Sequence, residues 1–312
     1  ATITAPATPK AYKVAILLPA SIDSIGWPQA GYWAIENISE RFGVETAYSE
    51  WVSVADAGRI AKEYIDAGFN IIIFHGGQYV SVVEELAPQY PDVVFVGHAA
   101  EPMDYPNVWT VIRDEYLGYY ALGYLMAKIS KTKKIGFVGG LEFPSAIAII
   151  NLIYIAANKT CPGIKFYYVH TGDFDDPVKN REAAEAQIAE GVDVIIPWLG
   201  GTGVLGVLEA AKAAPHHVYL VGGVTDMYNI DPERFFTSVL MDIVGLYSDI
   251  VGEVMAGKMS GSVRLSQYMD LAPTRGMLPI DDEAYAKGLN EMVISGQIEV
   301  PIIMDHYIVP PP

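Results

Sequence analysis

The feature that most constrains this chain is an alternation: short runs apolar on both faces, each followed by a stretch with helical spacing. The runs are "VAILLP" (14–19), "NIIIFHGG" (70–77), "VVFVGH" (93–98), "KIGFVGG" (134–140), "FYYVHTG" (166–172), "DVIIPWLGG" (193–201) and "VYLVGGV" (218–224). A strand apolar on both faces must be covered on both, which is the situation of a parallel sheet flanked by helices. Several runs stop at Gly or Gly-Gly, where the chain turns tightly into the next helix. The reading is an α/β fold with doubly wound, mostly parallel sheets.

The pattern occurs twice. "RIAKEYIDAGFNIIIFHGG" (59–77) and "EAAEAQIAEGVDVIIPWLGG" (182–201) both read as helix, glycine stop, apolar strand, Gly-Gly. The copies lie more than a hundred residues apart, too far for a solenoid, and predict two similar lobes. A single core rarely grows to 312 residues, which agrees. On this plan residues 1–11 are a tether, residues 12–111 with about 241–270 form an N-terminal lobe, and residues 112–240 with about 271–312 form a C-terminal lobe. "TVIRDEYLGYYALGYLMAKIS" (110–130), "FTSVLMDIVGLYSDIVGEVMAG" (236–257) and "YMDLAPTRGMLPI" (268–280) carry the chain between them. Lobes joined by several strands favour hinge motion. Ligands of open α/β folds sit at the carboxyl ends of strands, so facing lobes make a binding cleft. There "DSIGWPQAGY" (23–32) sets Trp27 in the turn between the first strand and the first helix, "AGYWAIENISERFG" (30–43).

Composition excludes several classes. A net charge of −17 repels phosphate backbones, so nucleic acid is not a partner, and "KTKK" (131–134) reads as a helix end and loop. No apolar run reaches the ~18 residues of a membrane span. One cysteine, Cys161, allows neither an internal disulfide nor a multi-cysteine metal site. The opening "ATITAPATPK" looks like a tether, as behind a removed leader or lipid anchor, and a trimmed cytosolic chain would open the same way.

Catalytic signals are few. "GTGVLG" (201–206) is a G-x-G-x-x-G between a strand and a helix, with Asp226 twenty residues beyond Gly206, as a nicotinamide dehydrogenase would have it. The fingerprint normally opens its domain, however, and here it falls late. The alternative is that Gly200, Gly201 and Gly203 let backbone approach a ligand or pack the turn. There is no G-x-S-x-G, and Cys161 has no nearby histidine in sequence. The six histidines lack chelating spacing, so no metal or cofactor is expected. The Asp175-Asp176 and Asp281-Asp282 pairs read as helix N-caps. Aromatics are in excess, with five Trp and twenty Tyr. Trp27 and Phe174 fall in loops after strands, one expected in each lobe, and two such rings can sandwich a flat ligand.

"GDFDDPVKNREAAEAQIAEGVDVIIPWLGGTGVLGVLEAAK" (172–212) closely resembles the basic membrane lipoprotein family of ABC-transporter substrate-binding proteins, whose members include purine nucleoside receptors. The likeness extends to "DSIGWPQAGYWAIE", "IRDEYLGYYALGYLMAKISKTKKIGFVGG" and "FTSVLMD", from about residue 12 to 260. The resemblance implies a type I periplasmic-binding-protein-like fold, and no enzyme activity. It implies extracytoplasmic capture of a nucleoside such as adenosine, and delivery to a membrane permease driven by an ATPase. It also implies tethering by an N-terminal lipid. By position, Trp27 and Phe174 correspond to the rings that stack on the base, Gly200 and Gly201 to the glycine turn beside the ligand, and Asp226 to the acid that accepts from ribose hydroxyls. Gln29, Gln78 and His98 complete the candidate ligand set. The chain departs from the family at Pro28, where Asn is common and Gln29 is the candidate substitute, at His98, where an acid is frequent, and at Met241, where a Lys is. A sensor of the same fold is the further alternative to a transporter component.

Overall fold

The computed structural model describes residues 11–310, so most of the expected tether lies outside the described residues. The chain begins β1 (Lys13–Leu17), α1 (Trp27–Phe42), β2 (Glu45–Ser49), α2 (Val54–Asp66), β3 (Ile71–Phe74), α3 (Val80–Leu86), β4 (Val94–Ala99) and β5 (Val108–Ile112). It continues α4 (Tyr120–Ile129), β6 (Lys134–Gly139), α5 (Pro144–Thr160), β7 (Lys165–His170), α6 (Pro177–Ala189), β8 (Val194–Trp198), α7 (Gly201–Ala213), β9 (Tyr219–Val224) and β10 (Phe235–Met241). It ends α8 (Ile243–Met255), β11 (Gly261–Arg264), β12 (Met269–Leu271) and α9 (Ile280–Ile294).

These elements group into two compact units. The first holds residues up to 21, 31–111 and 244–263; the second holds 22–30, 112–243 and 264 onward. In the first unit the strand order is β11-β5-β4-β3-β1-β2, with β1 parallel to β2 and β3, and β3 parallel to β4. All four residues of β3 are buried, and β1 and β4 are buried along almost their whole length, which is why their sequences are apolar on both faces. Their outward side chains, Leu17, Phe74 and Phe95 among them, join Ala57, Ala61, Val83 and Leu86 of the flanking helices in one core.

The second unit repeats the plan. Its sheet runs β12-β10-β9-β8-β6-β7, parallel from β7 to β10, with β12 added antiparallel. Without the edge additions, both sheets follow the same doubly wound order, in which the second strand pairs outside the first. The internal echo has a backbone counterpart: Gly68 before β3 and Gly191 before β8 take φ of 88° and 90°. Each ends its helix in the left-handed region that glycine enters without steric cost. The expected cap at Asp176 is present. Its carboxylate accepts from Val178 N and Lys179 N at 3.0 and 3.1 Å, with Pro177 opening α6. Those bonds hold the Asp176 carboxyl below the usual carboxylate range. "KTKK" is a turn whose amides are fixed by the buried Asp193, which accepts from Lys131 N and Thr132 N.

Two placements differ from the sequence reading. Trp27 is not in the loop: it is the first residue of α1. Its segment, residues 22–30, groups with the second unit although it follows β1. The physical reason lies in that segment's contacts. Ile25 packs on the core of the second unit, its backbone lies against Gly201, and Gly26 (φ 97°) lies against the end of β9.

Candidate functional site

The candidate residues of the second unit gather at the carboxyl edge of its sheet, where the loops after β6, β7, β8 and β9 meet the 22–27 segment. The switch point of a doubly wound sheet lies at such an edge, between the first strand and the strand after the crossover, here β6 and β8.

Phe174 sits in the loop between β7 and α6 and is half-buried. Its ring lies on the backbone of Gly140, where any Cβ would overlap it. Phe143 stacks beside it (centroids 6.2 Å, planes 12° apart), and Trp198 meets it edge-on at 5.6 Å. These spacings are those of favourable aromatic pairs. Trp198, at the end of β8, and the exposed Phe143 were not among the sequence candidates. Trp198 was hidden in an apolar strand run, and Phe143 in a loop without a motif.

Gly200 caps α7 and donates its amide to Phe174 O at 3.0 Å. A Cβ at Gly200 would overlap the Asp175 carboxylate, and one at Gly201 would come within 2.7 Å of Ile25 N. Gly203 and Gly206 are filled from the other side, by the backbone oxygens of Phe174 and Pro177. The glycines of GTGVLG therefore let α7 pack against the start of α6 and the 22–27 segment. A dinucleotide turn would leave its second glycine, here Gly203, open to the pyrophosphate. Thr202 Oγ1 also donates to Asp175 O at 2.7 Å, which holds an acidic side chain at the start of α7, where a phosphate would need an open, positive helix end. Burial raises the Asp175 carboxyl above its ordinary range. That packing gives the GTGVLG glycines a role that needs no dinucleotide.

Trp27 is half-buried, with the guanidinium of Arg113 over its ring at 5.0 Å. Arg113 in turn holds the buried Glu115, with Nη2 at 2.7 Å from Oε1. Gln29 lies in the first turn of α1 and is half-buried.

Asp226 follows β9 by two residues. The strand ends at Val224 with φ of 66°, a left-handed conformation that is a real outlier for a β-branched residue. The Asp226 Oδ1 accepts from Tyr228 N at 3.1 Å and from Ser238 Oγ at 3.5 Å. Its Oδ2 is paired with Arg275, whose guanidinium also stacks on Tyr228 at 4.1 Å. Arg275 was missed in the sequence because it lies 49 residues downstream in no motif.

Gln78 and His98 belong to the first unit. Gln78 is exposed in the single 3-10 turn (Gly77–Tyr79) after β3. His98, expected to face a ligand, has no exposed surface: its Nε2 lies 2.7 Å from the Tyr247 hydroxyl, which also meets His75 Nδ1 at 2.6 Å. Tyr247 of α8 takes up the imidazole in the core of that unit.

Paired doubly wound units of this order define a fold of the periplasmic-binding-protein type. A solute-binding protein of an ABC transporter system from Aeropyrum pernix K1 superposes with a TM-score of 0.80 at 18% identity, covering 95% of this chain and 94% of that one. The chain belongs to the family described as ABC transporter substrate-binding protein PnrA-like (Bmp), which it matches over residues 11–268. It is 24% identical over 305 residues to basic membrane protein A1 of Borrelia garinii, covering 95% of this chain and 90% of the relative. It is 28% identical over 235 residues to a purine-binding protein of Brucella abortus, covering 74% and 65%. Among the described residues no helix is long and apolar enough to cross a membrane.

Proposed function

We propose that this substrate-binding protein captures a purine nucleoside such as adenosine. In this reading it works outside the cytoplasmic membrane, lipid-anchored or secreted, and passes the nucleoside to a permease driven by an ATPase. The observation that carries the reading is the composition of one sheet edge. Trp27, Phe174, the Gly200-Gly201 backbone and Asp226 all lie at the carboxyl edge of the second sheet, around a segment packed on both Gly201 and β9. Rings supply stacking, which is worth ~1–3 kcal/mol per base and tolerates any base. Bare glycine backbone admits close approach of the ligand. A carboxylate supplies the acceptor that a sugar hydroxyl needs. The purine-binding relative supports the same ligand class. Gln29 is the amide of this unit available to read a base edge.

The test compares sugar with base. Asp226→Ala should weaken adenosine binding ~10-fold or more, because hydrogen bonds to charged groups contribute ~1.5–3 kcal/mol, while adenine binding changes little. Equal losses for adenosine and adenine would remove Asp226 from the ribose role.

A further inference from the structure

Resting on that reading, the open valences of Asp226 raise a further question. A carboxylate offers about four lone-pair positions. Three are in use: Tyr228 N and Ser238 Oγ on Oδ1, and Arg275 on Oδ2. One position on Oδ2 remains, on a side chain 35% exposed. A vicinal diol brings two hydroxyls, and this carboxylate has room for only one of them.

The second partner lies beside it. A guanidinium carries five N–H donors in a fixed plane and accepts nothing. Arg275 Nη1 donates to Pro273 O at 2.9 Å and Nη2 donates to Asp226, which leaves three donors on a group 26% exposed. The plane is fixed on its face by Tyr228 and at its base by a backbone φ of 53°. Four described non-glycine residues have positive φ, and two of them, Val224 and Arg275, flank this ion pair. Strained backbone of this kind persists where the surroundings enforce it, and it gathers at ligand clamps.

We infer that Arg275 is a specificity-determining residue: with Asp226 it reads a vicinal diol, Asp226 Oδ2 accepting from one hydroxyl and Arg275 donating to the other. Each hydroxyl can both donate and accept, so the pair matches a cis-diol in either order. A deoxy sugar forfeits one of the two contacts. The penalty is moderate, because Asp226 and Arg275 still satisfy each other when a hydroxyl is missing, unlike an isolated buried polar group.

The experiment is a calorimetric comparison of the full chain with Arg275→Met and Arg275→Lys. The ligands are adenosine, 2′,3′-dideoxyadenosine, adenine, ribose and glucose. The wild type should prefer adenosine to the dideoxy compound. Arg275→Met should weaken adenosine ~10-fold or more while changing adenine and dideoxyadenosine by less than about threefold, with Arg275→Lys between. Unchanged adenine binding reports an intact site. Equal losses across all purine ligands, or full adenosine affinity in Arg275→Met, would overturn the diol contact and leave the purine reading in place. Conversely, a wild type that binds ribose or glucose but no nucleoside, with the same dependence on Arg275, would overturn the purine reading and uphold the diol contact. Binding of no diol-bearing compound would overturn both.

Discussion

Trp27 opens α1, with Pro28 as the second helical residue. A Trp-Pro pair after an apolar strand reads as a loop, since proline commonly starts turns. Proline is equally at home in the first turn of a helix, where its missing N–H goes unneeded, and there Pro28 sits. The consequence for function is a ring on a rigid helix start, with Arg113 held 5.0 Å over it by Glu115. A cation on one side of an indole is compatible with a base on the other, and both use the ring face. Trp27→Ala should therefore weaken adenosine ~5- to 150-fold, the affinity equivalent of ~1–3 kcal/mol, and Trp27→Phe should retain most of the binding. Equilibrium titration checks this; full affinity in Trp27→Ala would exclude the stacking role.

The α6–α7 pair shows what two of the GTGVLG glycines do. Gly203 and Gly206 stand where a motif reader sees a phosphate turn, yet the space each leaves is taken by a backbone oxygen of the 174–177 segment. That packing seats Phe174, since Gly200 N donates to the same carbonyl that Gly203 accommodates. Gly206→Ala should destabilise the protein by ~1–3 kcal/mol through overpacking. Gly288→Ala, in α9 with nothing within 4 Å of its would-be Cβ, should stabilise it by ~0.5–1 kcal/mol. Thermal unfolding of the two variants reads both signs. A Gly206→Ala protein as stable as the parent would mean that the glycine serves something other than helix packing.

For the whole molecule, most strands legible in sequence are buried on both faces, such as β3, β4 and β8, while the edge strand β7 was read from its Phe-Tyr-Tyr-Val run. β2, at a sheet edge and partly exposed along its length, has no comparable apolar run and escaped notice. β5 and β10 were absorbed into the long segments thought only to carry the chain between lobes. The paired architecture was legible because the helix–glycine–strand echo survives as matching backbone conformations at Gly68 and Gly191. The candidate site was visible in sequence as far as local motifs reach: Phe174, Gly200, Gly201 and Asp226, which share one sheet edge, lie in or near the "GDFDDP…GGTGVLG" block. His98 was misjudged because its partner, Tyr247, lies 149 residues away, and Arg275 was missed for the same kind of reason. Long-range pairing leaves no spacing to read.

The proposed function requires that this chain bind a purine nucleoside through base and sugar together. The most direct measurement is titration calorimetry on the full chain, unfolded and refolded beforehand to strip any retained ligand, against adenosine, guanosine, adenine, glucose and NAD. The expected result is saturable one-to-one binding of a nucleoside, tighter than its free base, with no comparable binding of glucose or NAD. Saturable binding of glucose or NAD without binding of any purine nucleoside would contradict it.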